Sequence, residues 1–125
     1  MTPGDRATGL LNPLAIRDFS IWLADAVGRV LDAGRFPVVL GGDCTVLIGT
    51  CWRWAGEGAT AYFFLDGHAD FYQAEASPTG AVSNMDLALG SGRGPDVLSD
   101  IEGRRPFVRD EDVMVFGYRD DPGSF

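Results

Sequence analysis

The sequence predicts an α/β fold with a mainly parallel sheet, and three observations carry that expectation. Two short apolar runs, residues 36–40 and 61–65, have the unbroken hydrophobicity of strands covered on both faces, and a helical stretch lies between them. A third run, residues 113–117, repeats the pattern after a long connection. Strand, helix, strand is the unit from which parallel sheets are built. At 125 residues and 46% hydrophobic content, the chain suits one compact domain and not two.

The first element is an amphipathic helix over residues 14–33. Ile16, Phe19, Leu23, Ala26, Val27, Val30 and Leu31 recur at the spacing of one helical face. Asn12 suits its N-cap, Pro13 its first turn, and Gly34 a left-handed stop. The strand at 36–40 follows, with Pro37 tolerable only near its beginning, and it runs into Gly41-Gly42-Asp43. A mostly buried helix is expected from Thr45 to about Ala55, ended by Gly56 and Gly58. The strand at 61–65 leads into Asp66-Gly67-His68-Ala69-Asp70.

Residues 71–83 lose periodicity and read as a long loop leaving the carboxyl end of a buried strand, where ordered loops are often functional. A short helix is expected over 84–89, another over 95–101, and the last strand over 113–117 after a turn at 109–112. No covering helix follows that strand before Phe125, so the chain reads as part of a domain or as one that needs a partner.

Composition narrows the function. Net charge is -8, and all ten basic residues are arginines scattered along the chain, which argues against nucleic acid and against an anionic membrane surface. No apolar run approaches the roughly 20 residues of a membrane span, and the cytoplasm is the default expectation. Cys44 and Cys51, seven residues apart at the start of a helical stretch, lie beyond disulfide reach and are expected to be reduced thiols.

The residues richest in chemistry are Asp66, His68 and Asp70, two carboxylates and the single histidine at the carboxyl end of a buried strand. Ligands bind at such strand ends in open α/β sheets. Carboxylate oxygens and an imidazole nitrogen suit a divalent metal such as manganese, zinc or iron. A plain turn built on the same residues is about equally compatible with the pattern by itself. The balance shifts with Gly41-Gly42-Asp43-Cys44-Thr45, which ends the preceding strand and so faces the same crevice. Cys44, Asp66, His68 and Asp70 are therefore expected around one cavity. A phosphate loop at Gly41 and Gly42 is a weaker reading, because the chain contains no lysine for a Walker motif.

Three segments together resemble the ureohydrolases, the family of arginase, agmatinase and formimidoylglutamase. Residues 41–45 are similar to its G-G-D-H-S, residues 66–70 to D-A-H-x-D, and residues 115–119 to a strand ending in G-I-R, all in the family's order. The resemblance implies a three-layer α/β/α sandwich, of which residues 1–125 form only part. It also implies two manganese ions, and hydrolysis of a guanidinium or amidine C–N bond by a metal-bridging hydroxide. By that resemblance Asp66, His68 and Asp70 are metal ligands, Cys44 occupies a further ligand position either as a ligand or as a buried non-ligand, and Asp70 is also the candidate catalytic proton acceptor. Thr79, Ser83 and Asn84 would bind a small guanidinium-type substrate, and a homo-oligomer is compatible.

Two departures bear on chemistry. Cys44 stands where the family has a histidine, and a thiolate favours zinc or iron over manganese. Ser83 stands where the substrate loop carries a histidine. The later S-x-D-x-D motif that completes the two-metal set is not among these residues, so the isolated chain is expected to bind metal weakly and to be inactive on arginine or agmatine. An alternative expectation is a non-catalytic piece of the same fold that serves as a structural or interaction module.

Overall fold

The computed structural model describes residues 5–55 and 61–119. Helix α1 spans Pro13–Asp32 and buries Ser20, Leu23, Ala24, Val27 and Gly28 along one stripe. Its C-terminus closes as the glycine signal predicts. The Gly34 amide bonds Leu31 O at 2.8 Å, the Arg35 amide bonds Val30 O at 3.1 Å, and Gly34 takes φ 68°. The N-terminus differs from expectation. Asn12 sits in the left-handed region at φ 49°, and its side chain makes no capping bond, since a cap requires extended backbone to aim its oxygen at the first turn.

Helix α2 spans Val46–Trp54. Asp43 prepares its start by accepting the Thr45 amide at 3.0 Å through Oδ1. Gly49 permits close contact with α1, because a Cβ there would lie 2.7 Å from the carbonyl oxygen of Ser20. The glycines expected to end this helix, Gly56 and Gly58, lie outside the described residues.

Strand β1, Tyr62–Leu65, pairs in parallel with the strand Val113–Phe116, here β2, in the register Tyr62↔Val113 to Leu65↔Phe116. Between them come the expected long loop, holding short 3-10 turns at Ala74–Ala76 and Val82–Asn84, then helix α3, Asp86–Gly90, and helix α4, Asp96–Ser99. The parallel crossover is thus made by the second and third apolar runs. The first run, 36–40, is not a strand among the described residues. A strand needs a neighbour to satisfy its amides, and no described backbone pairs with this one; Phe36, Val38 and Leu40 stand exposed.

The helices share one core, in which Leu10, Ala24, Ile48, Cys51, Trp52, Met85, Leu89, Leu98, Ile101 and Phe107 are buried. Tyr62 of β1 packs against it. Trp52 ties the core together, its indole N–H donating to Ile101 O at 2.9 Å while the Arg104 guanidinium lies 4.8 Å from its ring centre. The other face of the strand pair carries Phe63, Leu65, Met114 and Phe116, all exposed, with Phe63 and Phe116 stacked at 6.2 Å. Among the described residues, then, the sheet is covered on one face. No helix among them is long and apolar enough to cross a membrane.

Candidate metal centre

The site is built where β1 ends. The Asp66 amide donates to Phe116 O at 3.1 Å, one step beyond the paired strands, and the Arg119 amide donates to Gly67 O at 2.9 Å. These bonds hold the segment after β1 beside the segment after β2. Asp66 then folds the chain back on itself, its Oδ1 accepting the His68 amide at 2.9 Å. Asp70 is buried and takes φ 48°, a backbone conformation that aspartate tolerates better than most residues.

Cys44 reaches this corner from the turn before α2. Its thiol donates to Asp66 Oδ2 at a sulfur–oxygen distance of 3.8 Å. One ligand atom from each of Cys44, Asp66 and Asp70 falls within 4.8 Å of the others, spacing that one cation can bridge. Three of the four residues expected around one cavity therefore lie together even though residues 36–40 do not pair as a strand. His68 is placed at its rim: the side chain is 74% exposed, with Nδ1 3.7 Å from Asp66 Oδ1, and it stands outside the three-residue cluster.

The electrostatics of the cluster are those of a site lacking positive charge. Burial pushes the Cys44 thiol up to about 12, and the negative charges of Asp86, Asp70 and Asp66 push the same way. A divalent cation reverses this logic, since it favours thiolate and carboxylate together. The donor set, two carboxylates and a thiol, thus fits a divalent metal.

The substrate residues expected from the loop lie in the turns that follow. Thr79 Oγ1 accepts the Ala81 amide at 3.2 Å. Ser83 and Asn84 form the turn Val82–Asn84, and Asn84 O accepts the Tyr72 amide at 3.2 Å, which ties this turn to the backbone just beyond Asp70. Both expected thiols are free, Cys51 buried and Cys44 half-buried.

One residue escaped the sequence reading. Asp86, at the start of α3, is fully buried with both carboxylate oxygens lacking a hydrogen-bond partner. Burial, reinforced by the charges of Asp70 and Asp66, pushes its carboxyl up to about 9. The available signal was a single acid within the otherwise apolar run from Met85 to Leu89.

The same residues can be compared with known proteins. The Arginase family model matches residues 9–120. The chain belongs to the arginase family. It is 38% identical to the arginase of Bacillus caldovelox over 116 residues, which cover 88% of this chain and 37% of that relative. With the arginase of Bacillus subtilis strain 168 it shares 36% identity over 101 residues, 78% of the chain and 33% of the relative. The native structure of the Bacillus caldovelox arginase superposes with a TM-score of 0.86 at 36% identity, covering 95% of this chain and 40% of that one. The Entamoeba histolytica arginase, solved in complex with L-ornithine, superposes at 0.76 with 27% identity, covering 99% and 43%. The fold is therefore arginase-like α/β, and the chain spans about two fifths of the length of these family members.

Proposed function

We propose that this chain carries part of the metal centre of a ureohydrolase that cleaves a C–N bond in a small guanidinium or amidine compound. The observation that supports this most is the convergence of Cys44, Asp66 and Asp70 within 4.8 Å at the carboxyl end of β1, in a chain of the arginase family. In this reading those three residues hold divalent metal, with His68 joining from the rim. A pair of manganese ions suits the two carboxylates, and Cys44 makes zinc or iron competitive. Bound cations supply acidified water as the nucleophile and offset charge that develops on the substrate.

The protein's own groups do the rest. Asp66 sits in a fixed turn, so its carboxylate is aimed before metal arrives. Asp70 is buried beside it and accepts the proton released by the nucleophile. Thr79, Ser83 and Asn84, on the loop tied to Tyr72, orient the polar end of the substrate. Ser83 offers a hydroxyl, a poor proton shuttle, so the preferred substrate is one whose leaving amine needs little protonation, and L-arginine is a weak substrate. A homo-oligomer in the cytoplasm is the setting this reading expects.

The test is urea or amine release from a panel of guanidino and amidino compounds by the complete protein, loaded with manganese, zinc or iron. Metal-dependent release that is lost in Asp66→Asn and Asp70→Asn is expected. A folded protein that takes up none of the three metals would refute the reading.

A further inference from the structure

We propose that Asp86 is an additional acidic group of this metal centre, a buried carboxylate outside the Cys44, Asp66 and Asp70 set whose charge bound cations neutralise. The inference rests on the metal reading above and extends it to a residue outside the ligand set. Buried polar groups are almost always hydrogen-bonded, and an exception asks for a cause, of which a missing ion is one. Asp86 has 0% of its surface exposed and neither oxygen has a hydrogen-bond partner. Its flanking residues Met85, Leu87, Ala88 and Leu89 are apolar and equally buried, so a hydrophobic side chain would fill the position at less cost.

The bond from the Tyr72 amide to Asn84 O holds the start of α3 beside the segment that follows Asp70. The side-chain charges acting on Asp86 are those of Asp70 and Asp66, both negative, and Asp86 in turn acts on the Cys44 thiol. Only the backbone amides of Asp86 itself and of Leu87 favour its charged form. Without metal, the charges acting on Asp86 are all negative, with no arginine among them. With metal, the same carboxylate becomes useful: it adds negative potential at the cation and holds the ligands against it. Because Asp86 lies outside the set within 4.8 Å, its action is on affinity and ligand orientation, not direct bonding.

The opposite effects of Asp86 on the two states give the experiment. Manganese affinity is measured by titration calorimetry, and Tm with and without manganese, for the complete wild-type protein, Asp86→Asn, Asp86→Leu and Asp70→Asn. In both Asp86 variants manganese affinity is expected to fall about 10- to 100-fold, the metal-free Tm to hold or rise, and the manganese-induced gain in Tm to shrink. Wild-type affinity in Asp86→Asn, or equal Tm losses with and without manganese in the Asp86 variants, overturns the proposal, the latter marking Asp86 as merely structural. If Asp70→Asn loses metal while the Asp86 variants keep it, the centre stands and only the role of Asp86 falls. If wild type takes up no manganese, the titrations are run with zinc and iron under the same criteria, and if it takes up none of the three, both fall together.

Discussion

The thiol of Cys44 lies 3.8 Å from Asp66 Oδ2, joining the turn before α2 to the end of β1. If that contact marks a shared cation, the donor at position 44 sets metal preference. Cys44→His is expected to raise affinity for manganese relative to zinc and iron, because imidazole replaces a soft thiolate. Cys44→Ala should weaken all three metals with little loss of fold, since the residue sits in a half-buried turn. Metal affinities that are the same in wild type and both variants would remove Cys44 from the centre.

Trp52 anchors the helical core through its bond to Ile101 O at 2.9 Å. Trp52→Phe keeps an aromatic ring but leaves a buried carbonyl without its donor, at an expected cost of about 1–3 kcal/mol. Arg104→Ala removes only the cation over the ring and should cost about 0.5–1 kcal/mol. Denaturant midpoints at constant m-value compare the two, and a larger loss from the arginine change would contradict this ranking.

Gly49 sets two effects against each other. Alanine improves helix propensity by about 1 kcal/mol. Its Cβ, however, would lie 2.7 Å from Ser20 O and 3.1 Å from Ser20 Cα, backbone atoms that cannot rotate away. Overpacking of this kind costs about 1–3 kcal/mol, so Gly49→Ala is expected to be net destabilising. A Tm equal to or above that of wild type would show that α1 and α2 separate without penalty.

Arg93 grips Asp110 with two bonds of 2.7 and 2.6 Å, and that guanidinium holds the Asp110 carboxyl below its ordinary range. A carboxyl with a lowered folded-state pKa stabilises the fold above its unfolded value, about 3.9, and that contribution fades as pH falls through the lower folded value. Both side chains are substantially exposed, so screening limits the pair to about 1 kcal/mol or less. Arg93→Gln should therefore lose a small, constant amount of stability between about pH 5 and 8, and the part of that loss due to the Asp110 pair should fade progressively as pH falls below about 4. A difference that widens in acid would sink the assignment.

The elements written most clearly into the sequence were those specified locally. Residues 14–33 carry the periodicity of α1 and Gly34 its stop, and the runs 61–65 and 113–117 became the two parallel strands. The failures were non-local. Residues 36–40 have strand composition, but pairing depends on a neighbour that composition cannot supply. Asn12 is a good cap by residue type and is disqualified by its backbone angle. In the site, adjacency of Cys44, Asp66 and Asp70 was legible because both segments follow apolar runs, whereas the rim position of His68 depends on side-chain direction within a turn. Asp86 was legible only as an oddity, since its meaning comes from Asp66 and Asp70, distant in the chain.

The left-handed backbone of Asp70 has a consequence for how mutagenesis at this corner is interpreted. Alanine there would bring two injuries at once, loss of the carboxylate and a conformation its Cβ resists at about 1 kcal/mol. A glycine substitution would relieve the backbone while removing the same carboxylate, and asparagine would keep shape and backbone tolerance while removing charge alone. An alanine scan would thus overstate this residue's share of metal affinity, and the asparagine and glycine variants together would separate chemistry from conformation.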